Sequence, residues 1–287
     1  MKQKLLLSMS LTLGVFTSCT NETKPIDINV MSFNIRYDNP EDGINNWHKR
    51  KDKVGQMLNF KNCDLIGTQE VLHNQLQDLQ ILLPNYEAIG VGREDGVTKG
   101  EYSAIFYKKD KFTAIDQGTF WLSETPNIPG SKGWDGACER VATWVHLKDN
   151  ESHKEFLFIN THLDHVGTEA RKKGVDLLQQ KAFELSKGLP IIATGDFNAE
   201  PSSDVIANIT DTSKANYWVH TKDLASSVEG LNWSFHDFDK LELSKRELID
   251  YIFVTPSILV KNYEVLPILY KNKLVSDHAP VIAKVQL

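Results

Sequence analysis

Short runs of β-branched and aromatic residues recur along the chain, and several of them stop on an oxygen or imidazole side chain. Ile28–Phe33 leads to Asn34, Asp64–Thr68 to Gln69-Glu70, Phe156–Ile159 to Asn160-Thr161-His162, and Pro190–Thr194 to Gly195-Asp196-Phe197-Asn198. Leu248-Ile249 leads to Asp250, and Ser276-Asp277-His278 follows near the end. Apolar runs of this length, bounded by Gly, Pro, Asp and Asn, predict strands. Tyr86–Gly92, Ser103–Tyr107, Phe112–Trp121, Arg140–Leu147, Ile249–Thr255 and Ala279–Val285 read as further strands. Helical spacing appears over Trp47–Phe60, over Leu72–Leu83 before Pro84, over Glu169–Ser186 before Lys187-Gly188, and briefly from Asp204 to Asn208. Many antiparallel-looking strands with a few helices predict two packed sheets with helices outside, in one α+β domain over residues 26–287. Strands that end together gather their terminal residues into one cleft, however far apart these lie in sequence.

The first residues do not belong to that domain. Met1-Lys2-Gln3-Lys4 is a basic start and Leu5–Phe16 a short apolar stretch, followed by Thr17-Ser18-Cys19. This reads as a secretory signal, too short for an ordinary membrane span. The cysteine after two small residues looks like a bacterial lipobox, so residues 1–18 are expected to be removed, Cys19 lipidated, and residues 19–25 to form a tether. The alternative is simple cleavage and a free secreted product. The expected product is an exported, membrane-anchored lipoprotein facing the periplasm or the cell surface, monomeric and touching the membrane only through its lipid.

Charge narrows the partners. Removing residues 1–18 takes away Lys2 and Lys4 and no acid, which moves the formal charge of the 287-residue chain from −6 to −8. An acidic protein is poorly disposed to bind long nucleic acids, so a nucleic-acid substrate is disfavoured. Arg171-Lys172-Lys173, a basic run, lies beside acidic residues in a helix and reads as a solvated face. Of the other two cysteines, Cys63 and Cys138 read as small buried hydrophobes, though a disulfide is possible in an oxidising compartment.

The chemistry lies at the strand ends. Asp277-His278-Ala279-Pro280 sets a carboxylate and an imidazole side by side at a turn. Asp196 and Asn198 are two residues apart and point the same way if the backbone is extended, although an Asx-turn is an equal reading. Glu70 suits a hard cation or the start of a helix. His162 could protonate a leaving oxygen, or simply hydrogen bond. Asp250 sits inside the apolar run Leu248–Val254 and needs a partner, for which His278 is suited. Asn34 alone is uninformative. Carboxylates with amides suit Mg²⁺ or Mn²⁺, and histidines beside them suit phosphate chemistry.

Met31-Ser32-Phe33-Asn34-Ile35-Arg36, Gln69-Glu70, Asn160-Thr161-His162, Gly195-Asp196-Phe197-Asn198, Ile249-Asp250-Tyr251 and Ser276-Asp277-His278 occur in that order. The set resembles the endonuclease/exonuclease/phosphatase superfamily, with its DNase I-like fold, and within it a bacterial branch. The resemblance implies a four-layer α/β/β/α sandwich and Mg²⁺-dependent cleavage of phosphate esters. It implies that Glu70 holds the metal, with Asn34 and Asp277 helping to place metal or phosphate. Asp196 would orient or deprotonate the attacking water. Asn198 and His162 would contact the phosphate and leaving oxygen, and Asp250 would fix His278 on the phosphoryl group.

Substrate choice belongs to the loops. Arg36, Arg140 and His236 are candidates to contact a second phosphate or a polar head group, and Trp121 and Trp134 to line a substrate site. For each, packing or an ion pair is the competing reading. Small phosphorylated molecules and lipid head groups are the expected substrates. A non-catalytic binding protein would typically lack one of these acids or histidines. A serine hydrolase lacks support because no Gly-x-Ser-x-Gly elbow occurs, and no His-Glu-x-x-His zinc motif occurs either.

Overall fold

The computed structural model describes residues 24–287. The export and lipidation signal, with Cys19, lies outside the described residues. Among the described residues no helix is long and apolar enough to cross a membrane.

The first half of the chain runs β1 (Asp27–Asn34), α1 (Trp47–Lys61), β2 (Leu65–Gln69), α2 (His73–Leu82), β3 (Tyr86–Ile89) and β4 (Ile105–Lys108). Then follow β5 (Phe112–Trp121), β6 (Val141–Asp149), β7 (Glu155–His162), α3 (Thr168–Ser186), β8 (Ile191–Asp196) and α4 (Asp204–Ile209). The last part holds β9 (Val219–His220), α5 (Thr221–Leu224), β10 (Ser227–Gly230), β11 (Asp250–Val254), β12 (Leu259–Val265), β13 (Leu269–Tyr270), β14 (Lys273–Leu274) and β15 (Val281–Gln286). One sheet has the order β10-β12-β15-β1-β2-β4-β3 and the other β5-β6-β7-β8-β11-β9. Both are mixed: β1 and β2 run parallel in the first, β7 and β8 in the second. The sequence missed β12, whose exposed Leu259 and central Lys261-Asn262 blur the strand pattern.

Alternation along the strands builds the layers. In β1, Ile28 and Val30 face the second sheet, while Met31 and Phe33 pack with Trp47, Val54 and Leu58 of α1. On the far side, Val175, Leu178 and Ala182 of α3 join the core that the second sheet shares with the first. The result is the four-layer α/β/β/α sandwich.

The face between the sheets changes character along its length. In β1 the positions two apart run Ile28, Val30, Ser32, Asn34, and in β2 they run Leu65, Gly67, Gln69, so apolar side chains give way to polar ones. Here the sheets are joined by a buried polar bridge. Asn160 Oδ1 accepts from Gln69 Nε2 at 2.7 Å and Thr194 Oγ1 at 2.9 Å, and its Nδ2 donates to the carbonyls of Thr68 and Ala104. All four hydrogen-bonding positions of that amide are used. Gly67 makes room for it: a Cβ there would fall on the Thr194 hydroxyl and within 2.5 Å of Asn160 Oδ1.

Candidate active site

Strand register explains the meeting of distant residues. Asp196 ends β8, opposite His162 on β7 and opposite Asp250 on β11. Asn34 ends β1, opposite Gln69 on β2, and Glu70 comes next. Ser276-Asp277-His278 leads into β15, and a bridge between His278 and Phe235 holds it. The chain turns sharply at three of these ends: Arg36, Glu70 and Asn198 have φ of 59°, 60° and 46°. L side chains rarely adopt this region, and such strain is retained where the surroundings enforce it.

The floor of the cleft is a chain of closely spaced ionisable groups. His278 Nδ1 lies 2.8 Å from Asp250 Oδ2, and its Nε2 lies 3.8 Å from Asp196 Oδ2. Burial works against the His278 imidazolium, but the Asp250 carboxylate, helped by Asp196 and Asp277, outweighs it and holds the pKa up to about 10. Burial, and then the Asp250 charge, push Asp196 up to about 7. Its Oδ1 accepts the Asn198 amide at 2.9 Å, the Asx-turn foreseen in the sequence, while Oδ2 remains for the site. His162 Nε2 lies 3.0 Å from Asn198 Nδ2 and 3.5 Å from Asp196. Burial, and then Arg140, hold its pKa well below that of an ordinary histidine, so it is neutral.

The acidic side lies next to this floor. Asn34 Nδ2 donates at 3.0 Å to both Glu70 Oε1 and Asp196 Oδ2, so the amide spaces two acids. Arg36 sits between Glu70 at 3.9 Å, Asp277 at 3.6 Å and Asp42 at 3.1 Å. Burial raises the Asp277 pKa. Three carboxylates sharing one guanidinium leave negative charge uncompensated, and their hard oxygen atoms fit a divalent cation. Asp196, Asp250 and His278 also offer atoms within 4.8 Å of one another. His278 spends Nδ1 on Asp250, and the neighbouring carboxylates hold its pKa up, so Glu70 and Asp277 offer freer oxygen atoms to a cation.

The cleft, about 620 Å³, is lined by Glu70, His162, Asp196, Asn198, Asp277 and His278 together with Arg36 and Arg140. Asp250 and Asn34 lie buried just beneath. Three candidates for substrate contact fall outside it. Trp121 is buried and donates its Nε1 to the Arg93 carbonyl at 2.6 Å, so it braces a loop. Trp134 stands in the loop before β6, where its amide donates to Glu124. His236 is fully buried, with Nδ1 accepting the Asp239 amide, and burial lowers its pKa to about 4. Cys63 is buried as expected, whereas Cys138 lines the cleft; both are free thiols.

Sequence reasoning missed Arg50, Arg93, Glu101 and Glu247. Arg50 is buried on α1 and donates to the carbonyls of Ile35, Arg36, Asn45 and Val275, tying the turn after β1 to the segment before Asp277. Nothing in its helical spacing marks this. Arg93 and Glu101 bracket a Gly-rich loop, a weak signal in retrospect, and line the cleft with Glu247.

Comparison with known proteins agrees with this geometry. The sequence model of the Endonuclease/Exonuclease/phosphatase family matches residues 31–278. An endonuclease/exonuclease/phosphatase of known structure from Bacteroides vulgatus is 45% identical, with a TM-score of 0.88 over 91% of this chain and 98% of that one. A mannosyl-6-phosphatase from Bacteroides thetaiotaomicron is 39% identical, with a TM-score of 0.83 over 90% of this chain and 99% of that one. An uncharacterised protein of Acanthamoeba polyphaga mimivirus is 27% identical over 268 residues, 82% of this chain and 91% of that protein.

Proposed function

Because the chain belongs to the endonuclease/exonuclease/phosphatase family, we propose that it is a phosphoric ester hydrolase dependent on Mg²⁺, with Mn²⁺ as a substitute, and that it acts on small phosphorylated molecules, sugar phosphates first. The observation that carries this reading is geometric: His278, fixed by Asp250 at 2.8 Å, shares one cleft with Asp196 and with Glu70, which Asn34 bridges to Asp196.

Glu70 and Asp277 would hold the cation, with Asn34 spacing Glu70 from Asp196. A divalent cation bound there supplies charge that offsets the phosphate and the developing alkoxide. Asp196 sits near neutrality in proton affinity, which suits a base that takes a proton from the attacking water. The His278 imidazolium donates to a phosphoryl oxygen, and Asp250 prevents its loss of charge. Asn198 and His162, 3.0 Å apart, would contact the phosphate and the leaving oxygen. This scheme uses no covalent intermediate: Asp196 is assigned to the attacking water, and burial raises the pKa of the Cys138 thiol.

Sugar phosphates are favoured by the 39%-identical mannosyl-6-phosphatase and by the cleft itself. Glu101, Asp237 and Glu247 on its walls would repel a polyanionic strand. We also read the protein as exported and lipid-anchored at Cys19. The test is a substrate panel with purified protein: a hexose phosphate, p-nitrophenyl phosphate, bis-p-nitrophenyl phosphate and plasmid DNA, each with Mg²⁺ or EDTA. Turnover of monoesters that EDTA abolishes and Mg²⁺ restores is expected. EDTA-resistant turnover, or binding without turnover, would sink this reading.

A further inference from the structure

One wall of the cleft takes no part in the steps above. Arg93 and Glu101 stand at the two ends of a loop, and the guanidinium grips the carboxylate at 2.6 and 3.1 Å. Arg140, just before β6, is 6% exposed and places Nη2 2.9 Å from His165 Nδ1. Its Nε is 3.5 Å from Asp164 Oδ2, an oxygen already shared by the Ala137 and Cys138 amides.

These side chains have unspent hydrogen-bonding capacity. Arg93 Nε, Arg140 Nε, Arg140 Nη1 and His162 Nδ1 are buried without a hydrogen-bond partner. All three residues also line a recess of about 10 Å³ against the cleft, the space of about one water. A dry unpaired donor costs about 1–3 kcal/mol, so oxygen acceptors belong here. A water in the recess satisfies only some of them. Arg93, Glu101, Arg140 and His165 also line the main cleft, where a ligand can supply further hydrogen-bonding groups.

We propose that Arg93, Glu101, Arg140 and His165 form the subsite that reads the alcohol half of the substrate, binding the hydroxyl groups of a sugar. This rests on the phosphate-ester reading above and adds the leaving group's identity. Charge decides between hydroxyls and a second phosphate. Each guanidinium already faces a carboxylate, Arg93 with Glu101 and Arg140 with Asp164, so the wall carries no surplus positive charge. Alternating donors and acceptors match neighbouring hydroxyls, which both give and accept hydrogen bonds. The wall adjoins His162, the residue assigned above to the leaving oxygen. Trp121, through its bond to the Arg93 carbonyl, sets the loop's position.

The test compares a hexose 6-phosphate, the matching hexose bisphosphate and p-nitrophenyl phosphate, the last having no hydroxyls to read. Wild type, Glu101→Gln and Arg140→Lys are assayed with Mg²⁺, and thermal melting confirms folding. In each variant kcat/KM should fall at least tenfold further for the hexose phosphate than for p-nitrophenyl phosphate, mainly through KM. Equal losses on both substrates, in a folded Glu101→Gln protein, would mean a structural role and overturn the proposal. So would a wild-type preference for the bisphosphate, or wild-type turnover of p-nitrophenyl phosphate without any of the hexose phosphate. Turnover of neither ester overturns this inference and the hydrolase reading together.

Discussion

The floor and the Arg93 wall of the cleft are both rich in charge, yet they are built in different ways. On the floor, Asp196, His162 and Asp250 occupy neighbouring strands in fixed register, so their spacing is a property of the sheet. On the wall, Arg93 and Glu101 hang from a loop and Arg140 from the end of another. The floor is largely committed to itself: His278 pairs with Asp250 and Asn34 with Asp196, leaving Asp250 Oδ1 and His162 Nδ1 without a hydrogen bond. The wall still has unpaired donors. A floor fixed by strand register suits the invariant part of a reaction, the phosphoryl group, and a loop-built wall suits the part that differs between substrates.

The sharpest way to break that contrast is to change the floor. Asp196→Asn or His278→Ala should keep the fold and lower kcat by a hundredfold or more on every ester tested, about 3 kcal/mol of transition-state stabilisation. Selective loss on one substrate would erase the distinction between floor and wall. Steady-state kinetics on two unlike esters reads this directly.

Gly67→Ala tests whether the floor depends on close sheet packing. The added methyl would meet Thr194 and Asn160 at the polar bridge, and overpacking there should cost about 3 kcal/mol of stability. Urea unfolding of this variant measures it; a wild-type midpoint would show that the sheets have slack.

A smaller effect, dependent on pH, belongs to the wall. Asp164 pins the turn before α3, and although burial raises its pKa, the Gly167, Val166 and Ala137 amides and the Arg140 charge hold it down to about 2. A depressed carboxylate stabilises the fold above its unfolded pKa near 4, and the contribution fades as pH falls towards 2. Asp164→Asn should therefore lose about 2 kcal/mol at pH 7 and progressively less below pH 4, as melting at several pH values would record. A pH-independent loss would assign the effect to packing.

The smallest change expected is at Trp134, which does not line the cleft. Trp134→Ala should leave KM for a hexose phosphate within about twofold of wild type, because surface substitutions away from a site have small effects. A tenfold rise would return Trp134 to the substrate site and extend the wall.

Local patterning explains what could be read in advance. Ile28–Phe33 and Pro190–Thr194 are strands because apolar, β-branched positions fill two faces of a buried sheet, and polar residues appear where the strand leaves the core. The motif order led to the family and hence to the sandwich. Arg50 was invisible because its four carbonyl partners lie on segments up to 225 residues away. Trp121 and His236 attracted notice by residue type, but whether an aromatic or imidazole faces a cleft or a core depends on the fold around it.

By itself the sequence determined which residues end the strands, because a two-residue alternation and a polar terminus are local properties of the chain. Tertiary structure alone decided that Asn34, 162 residues from Asp196, donates to its carboxylate, and that two arginines keep unpaired donors beside His162. Such contacts depend on strand order, register and the distance between sheets, which arise only when remote segments bury one another's surfaces.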